Sequence, residues 1–328
     1  MEVNGNITSP DLFEIALCTA NNDSTLKFII NNGLLQPEML CSGCSRPMAS
    51  IPNSPYKKRC SLCEKKRSIF ANTIFYNLHT ELKLVLQLIY FFCNDIPLYV
   101  VCNKFLRSNN GKQMLSRQTV MNWYAKFRAV CTWTLEEEPI RFVSPVILSS
   151  NLEAEALDSH EIVSPVVEMD EMFAGKKAKA HRGSSCKSGQ VFGIIEKSGG
   201  NKCVLYLVKN RKKETLYPLI ERHVSKECTI HHDDMFTYRS LENDLNYQHR
   251  IVTHSEHFVS NDGTHTNKIE GLWGLLRQRI AARHGTYQCS FQDLLNEFCY
   301  RRNYEDDYGT IWTSFIRHLN KYHSHTLL

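Results

Sequence analysis

CTIHHDDMFTYRSLENDLNYQHRIVTHSEHFVSNDGTHTNKIEGLWGLLRQRIAAR, residues 228–283, is the stretch on which the reading of the fold turns. It opens as a short apolar strand, Cys228 to Asp233, running into His231, His232, Asp233 and Asp234. It closes as an amphipathic helix, Asn267 to Arg283, in which Ile269, Leu272, Trp273, Leu276 and Ile280 recur at helical spacing and Glu270 sits in the first turns. Glu270 and Arg277 lie two turns apart on a different face from that stripe, which would put Arg277 near any anion held by the acid. A carboxylate at a strand end, another on a helix and a third elsewhere are what a two-metal phosphoryl-transfer site needs. Two Mg²⁺ ions about 4 Å apart require hard oxygen ligands to hold them against their mutual repulsion. Upstream, VVEMDEMF offers Asp170 at the end of another apolar strand, Val163 to Met169.

The elements between these acids follow a consistent order. Gln190–Glu196 and Cys203–Val208 are apolar runs separated by the turn KSGGNK. Thr215–Val224 has helical spacing, Arg250–Thr253 reads as a fifth strand, and Phe291–Tyr304 as a last helix. The expected fold class is therefore α/β: an RNase H-like core over 161–310, its acids at the ends of the first and fourth strands and on a later helix.

Ahead of this core the chemistry changes. Cys41 and Cys44 form one CxxC pair and Cys60 and Cys63 another, with fifteen residues (45–59) between them. Two such turns complete a tetrahedral thiolate shell, the pattern of a Zn²⁺ ribbon, here placed at 39–68. A structural zinc would contribute about 10 kcal/mol or more to folding a segment this poor in core residues. Lys57, Lys58 and Arg59 lie beside the second pair, charge suited to a phosphate backbone or to the solvated rim of a protein-binding ribbon. Residues 69–135 read as three helices, the last capped by Ser116 and carrying Arg117 and Gln118 in its first turn. That is a helix-turn-helix pattern, shared with many helical bundles. Residues 1–38 read as an N-terminal arm, 136–160 as a linker and 311–328 as a C-terminal tail. Lys176 and Lys177, following the first acid, and Arg211, Lys212 and Lys213 would flank the acidic groove.

The chain of 328 residues carries a formal charge of +5, which suits a nucleic-acid partner without requiring one. Its 13 cysteines are an odd number, and MEVNGNITSPDLFEIAL lacks the basic flank and apolar run of a secretory leader, so reduced thiols are expected. The most apolar run, LKLVLQLIYFFC (82–93), is too short to span a bilayer, and no membrane partner is expected.

MDEMF (169–173), IHHDDMFTY (230–238), VTHSEHFV (252–259) and HTNKIEGLWGLLRQRI (265–280) together resemble the ISXO2-like transposase domain of IS1595-type bacterial insertion sequences and the eukaryotic Merlin DNA transposons. With the ribbon, the resemblance covers roughly residues 40 to 305. It implies a DDE triad at Asp170, Asp233 and Glu270, Mg²⁺ or Mn²⁺ at those acids, and structural Zn²⁺. The implied activity is cleavage at terminal inverted repeats and strand transfer into target DNA. The implied partners are double-stranded DNA and further copies of the chain in a synaptic complex. The 36 residues (234–269) between Asp233 and Glu270 look like the Merlin arrangement, and a nuclear location follows from it, otherwise the cytoplasm. Asp234 competes for the second position; Tyr238, five residues after Asp233, favours Asp233. Met235 stands where the family usually has Trp, which keeps open a domesticated relative that binds DNA and no longer cuts it. His231, His232, His254, His257 and His265 lack the HExxH helix of a zinc hydrolase and are not expected to bind metal.

Overall fold

The computed structural model describes residues 9–35, 38–52, 54–105, 115–143, 165–174, 189–197, 200–252, 266–282, 291–305 and 309–325. The chain folds as two compact units, Met1–Thr134 with Tyr304–Leu328, and Leu135–Asn303.

In the first unit, α1 (Leu12–Cys18) and α2 (Asn22–Asn31) form a small helical pair. Asp11 and Glu14 close a capping box on α1, and the Asn21 side chain accepts from the Ser24 N–H to cap α2. Three short antiparallel strands follow, β1 (Ala49–Ile51), β2 (Ser54–Arg59) and β3 (Lys66–Ser68). Next comes α3 (Leu82–Cys93), buried on nearly every side as its apolar sequence demands. After it, α4 (Leu98–Val100) runs into a π-helical turn, Val101–Phe105. The helix α5 (Arg117–Glu137) starts where the Ser116 hydroxyl accepts from the Thr119 N–H at 3.0 Å. The segment assigned from sequence only as a tail is a helix: Trp312, Phe315, Ile316 and Leu319 are buried, and the Phe315 ring packs on Phe92 and Phe127 at 5.2 and 5.8 Å.

The second unit is a mixed α/β layer structure. Its strands β4 (Val166–Ala174), β5 (Gly189–Glu196), β6 (Cys203–Val208), β7 (Thr229–Asp233) and β8 (His249–Val252) lie in the order β6-β5-β4-β7-β8. Strands β4, β5 and β6 are antiparallel neighbours. The helix α6 (Lys213–His223) carries the chain across to β7, which pairs parallel to β4, and α7 (Leu241–Leu245) carries it to β8, parallel to β7. Both faces are covered, which is why β5 and β6 read as continuous apolar runs rather than alternating ones. Val167, Met169, Phe192, Ile194 and Val204 pack with α6 on one side. Met172, Ala174, Val191, Ile195 and Leu205 pack on the other with α8 (Asn267–Ala282) and α9 (Phe291–Tyr304).

The edge strand β6 is closed by side chains of α9. Gln292 accepts from the Leu207 N–H at 2.8 Å, and Asn303 accepts from the Cys203 N–H at 2.8 Å while donating to its carbonyl at 2.9 Å. Those bonds blunt an edge that would otherwise template pairing with another chain. Residues 137–143 are docked rather than loose: the Phe142 N–H donates to His223 O at 2.7 Å and the Ser225 N–H to Phe142 O at 2.9 Å. The remainder of the expected linker lies outside the described residues.

One expectation about strand ends needs correcting. Asp170 does not end its strand but sits in the middle of β4, because antiparallel pairing with β5 continues from Asp170↔Gly193 to Ala174↔Gly189. The parallel pairing with β7 does stop short of it, at Glu168↔His231.

Candidate active site

Period-two alternation decides which acids meet. Glu168 and His231 are cross-strand partners and share a sheet face, so Asp170 and Asp233, each two residues further along, share it too. That face receives α8, and Trp273 on α8 donates its indole N–H to Asp170 Oδ2 at 2.9 Å. Glu270 lies three residues before Trp273, next to it on the helix surface, and is exposed. Asp170 also accepts from the Glu171 N–H at 2.7 Å. Burial raises the Asp170 pKa above the ordinary carboxylate range, and the nearby charges of Asp233 and Glu270 push it the same way. The bonds from Trp273 and Glu171 act against them.

Room for the indole comes from the residue opposite. Gly193, paired with Asp170 across β4 and β5, has no side chain, and a Cβ there would lie 2.5 Å from Trp273 Cη2 and 2.9 Å from Leu205 Cδ2.

The helix that brings Glu270 is anchored by an acid the sequence reading passed over. Glu168 is fully buried and accepts from the Lys268 and Ile269 N–H groups, both at 2.9 Å, at the start of α8. Its other oxygen lies 3.5 Å from Lys197 Nζ, which also meets His231 Nδ1 at 3.3 Å. A helix N-terminus favours negative charge and has unpaired N–H groups to offer, so a carboxylate is well matched there. The only sequence signal was a third acid two residues before Asp170 in an otherwise apolar strand.

The two candidates for the second acid have different surroundings. Asp233 is half-buried on the Asp170 face. Asp234 points to solvent and takes a two-bond clamp from Arg239, Nε to Oδ1 at 2.7 Å and Nη2 to Oδ2 at 2.6 Å, which lowers its pKa. Next to Asp170, on the opposite sheet face, Glu171 is buried 3.6 Å from Arg211 Nε. Burial and the Asp170 charge push its pKa up to about 8, against the pull of Arg211. His232 is engaged with Asp233 O at 2.5 Å and with His249 Nδ1 at 2.8 Å, and burial lowers its pKa to about 4, so it stays neutral.

The second candidate centre is the cysteine quartet. The Sγ atoms of Cys41, Cys44, Cys60 and Cys63 all lie within 4.8 Å of one another. The two turns that carry them repeat the same backbone pattern. The Ser45 N–H donates to Cys41 O at 2.8 Å and the Glu64 N–H to Cys60 O at 3.1 Å. The Cys41 and Cys60 N–H groups donate to Arg46 O and Lys65 O at 2.9 and 3.0 Å. Ser45 and Glu64 are both left-handed, at φ 55°, a conformation that disfavours side-chain-bearing residues and that both turns nevertheless adopt. Four soft sulfur donors at this separation fit a tetrahedral Zn²⁺. The three carboxylates do not converge as tightly. Their oxygens are the donor type that Mg²⁺ or Mn²⁺ takes. The eleven described cysteines are free thiols; Cys186 and Cys289 lie outside the described residues.

The basic residues expected to meet DNA are partly brought out. Lys57 and Arg59 alternate with Lys58 along β2, so the three do not share one face, and Arg59 pairs with Glu64 at 2.8 Å. Arg117 and Gln118 are exposed in the first turn of α5, and Arg277 is exposed on α8. Lys213 is taken by Asp244 at 2.5 Å. Lys176, Lys177, His254, His257 and His265 lie outside the described residues.

With the geometry in view, the comparison with known families is specific. Residues 162–303 match the family model of the ISXO2-like transposase domain. The ISXO2-like segment thus takes in the whole five-stranded sheet with α8 and nearly all of α9. No curated protein sequence matches the chain. Among solved structures, the chain aligns with a chain of the crystal structure of a pre-cleavage Mos1 transpososome over 73% of its own length and 94% of the other's. The identity is 11% and the TM-score 0.25, too low to carry an argument.

Two outcomes are expected. Gly193→Ala forces Trp273 off Asp170 and costs about 1–3 kcal/mol in urea unfolding, as overpacking does; an unchanged midpoint would mean the seat is not tight. The purified chain carries zinc by elemental analysis and Cys60→Ser loses it; wild-type protein with an ordered ribbon and no metal would contradict the assignment.

Proposed function

We propose that the chain is a DNA transposase of the DDE type whose ISXO2-like segment has an RNase H-like fold. One observation carries this reading: within a segment matching a transposase family, Asp170 and Asp233 share the sheet face on which α8 presents Glu270. The strand order β6-β5-β4-β7-β8, with three antiparallel strands followed by two parallel ones, agrees with such a fold.

In this reading Asp170, Asp233 and Glu270 hold divalent metal, Mg²⁺ or Mn²⁺. When bound, it would activate the attacking water or 3′-hydroxyl and neutralise the charge that develops on the phosphoryl group. The chain's own part is to keep the carboxylates in place before substrate arrives. Trp273 fixes the Asp170 rotamer, and the Glu168 cap fixes the helix that carries Glu270. Preorganised charge of this kind does not have to reorganise during the reaction. Arg277 on α8 and Arg211 beside β4 supply positive charge for the DNA backbone.

The zinc ribbon, residues 39–68, and the helical module, residues 69–135, would bind the terminal inverted repeats, with Lys57, Arg59, Arg117 and Gln118 as the exposed contacts. Lys58, on the other face of β2, would meet a different part of the backbone. Two DNA ends must be brought together for strand transfer, so the working form would hold more than one copy of the chain. It would act in the nucleus of a eukaryotic host, in keeping with the Merlin-like spacing of Asp233 and Glu270. No helix of the described residues is long and apolar enough to cross a membrane.

The test is a Mg²⁺-dependent cleavage and strand-transfer assay on DNA carrying the element ends. Asp170→Asn and Asp233→Asn are expected to lower cleavage by about 100-fold or more while binding persists, the scale of losing a preorganised electrostatic group. Asp234→Asn, which disturbs only a solvent-exposed pair, is expected to change it by less than about tenfold. Specific binding without cleavage in any of the proteins would favour a domesticated DNA-binding descendant. Full activity in Asp233→Asn with loss in Asp234→Asn would move the second acid to Asp234.

A further inference from the structure

The loop that follows Asp233 displays one apolar side chain and ties down the residues around it. Phe236 is 80% exposed. A single exposed apolar residue is ordinary on a protein surface and needs no explanation by itself. What distinguishes Phe236 is how firmly its neighbours are tied. The Met235 N–H donates to Asp233 O at 2.8 Å, and the Met235 side chain packs on the core under the sheet. Thr237 donates through Oγ1 to Arg211 O at 2.7 Å and accepts from the Tyr217 hydroxyl at 3.0 Å. Tyr238 is fully buried, and its N–H donates to Met235 O at 3.0 Å. The Asp234–Arg239 clamp closes the loop from outside. A mobile loop would let the ring fold back onto apolar surface; this one keeps it in water.

Its position relative to the acids is also set. Phe236 is the third residue after Asp233, so their Cα atoms are at most about 11 Å apart. Duplex DNA rises about 3.4 Å per nucleotide along a strand, which places the Phe236 backbone within about three nucleotides of a phosphate held at Asp233. Arg211, to whose carbonyl Thr237 is bonded, is half-exposed and steadied by Glu171 at 3.6 Å. Gln190, with its amide oxygen turned toward the guanidinium, accepts from it at 3.2 and 2.9 Å. An exposed aromatic ring and a guanidinium, on segments tied together by the Thr237–Arg211 bond, supply the two things a splayed nucleotide needs: a surface for its base and a cation for its phosphate. Asp170 is part-buried in mid-strand against Trp273, so a phosphate reaching it has to leave the regular duplex path.

We propose that Phe236 is the platform on which one unpaired base beside the scissile phosphate stacks, with Arg211 holding the adjoining backbone phosphate. This rests on the transposase reading above and adds the state in which the DNA is held. The free energy of stacking offsets the cost of taking the base out of its pair, and the ring therefore sets where along the DNA the cut falls.

The experiment uses the full chain in single-turnover cleavage of element-end DNA. The proteins are wild type, Phe236→Ala and Phe236→Trp, each on intact DNA and on a series with one abasic site at each nucleotide within three steps of the cut. Phe236→Ala is expected to slow cleavage of intact DNA roughly 5- to 150-fold, the range set by losing one stacked base. Phe236→Trp keeps the aromatic face and is expected to restore most of that rate. At one position, the abasic site should erase the difference between wild type and Phe236→Ala, because there is then no base for the ring to hold. Wild-type rates in Phe236→Ala would overturn the proposal, as would an Ala defect that multiplies with that of every abasic site, or a Trp variant as slow as the Ala variant. If wild type and Asp170→Asn are equally inactive, the transposase reading itself fails, and this inference with it.

Discussion

A buried carboxylate at the start of a helix is the constraint on which the active face depends. Glu168 leaves water completely, and a buried charge is tolerated only where it is paired and hydrogen-bonded. Here the partners are two backbone N–H groups of α8 and the Lys197 ammonium, so the cost of burial is offset by fixing β4, β5 and α8 to one another. The placement of the other groups follows from that joint. Two residues along β4 is Asp170; one turn into α8 are Glu270 and Trp273; and the indole N–H of Trp273 closes the circuit onto Asp170 over the space left by Gly193. The positions of the carboxylates are therefore set by interactions that involve no metal, which is what a preorganised site requires.

The ribbon solves a different problem. Three strands of three, six and three residues cannot bury a core of their own, and the described one consists of little more than Cys41, Met48 and Cys60. Its order comes from two turns with the same hydrogen-bond pattern and the same left-handed residue after each CxxC pair, held face to face so that four thiols converge. Metal binding and folding are then one event.

Much of this was legible in the sequence, for physical reasons that can be named. β5, β6 and α9 coincide with their expected spans to within a residue, because strands buried on both faces read as unbroken apolar runs and α9 has a clean helical stripe. The shared face of Asp170 and Asp233 depended on register, which becomes visible only when Glu168 is seen opposite His231. Glu168 itself looked like a third acid in a row of acids. Its role depends on N–H groups 100 residues away in sequence, which no local pattern encodes. Gly193 gave no signal either, since its function is to be absent where Trp273 lies. The helix Trp312–His325 was passed over as a tail because its apolar stripe follows a break in the pattern at the end of the preceding domain.

The most direct measurement is an anomalous difference map from crystals of the full chain bound to DNA ends in Mn²⁺. Peaks bounded by the carboxylates of Asp170, Asp233 and Glu270, with Asp234 still on Arg239, are the predicted result. Mn²⁺ bound by Asp234 instead, or carboxylates that stay empty beside an ordered scissile phosphate, would contradict the assignment of this face as the catalytic centre.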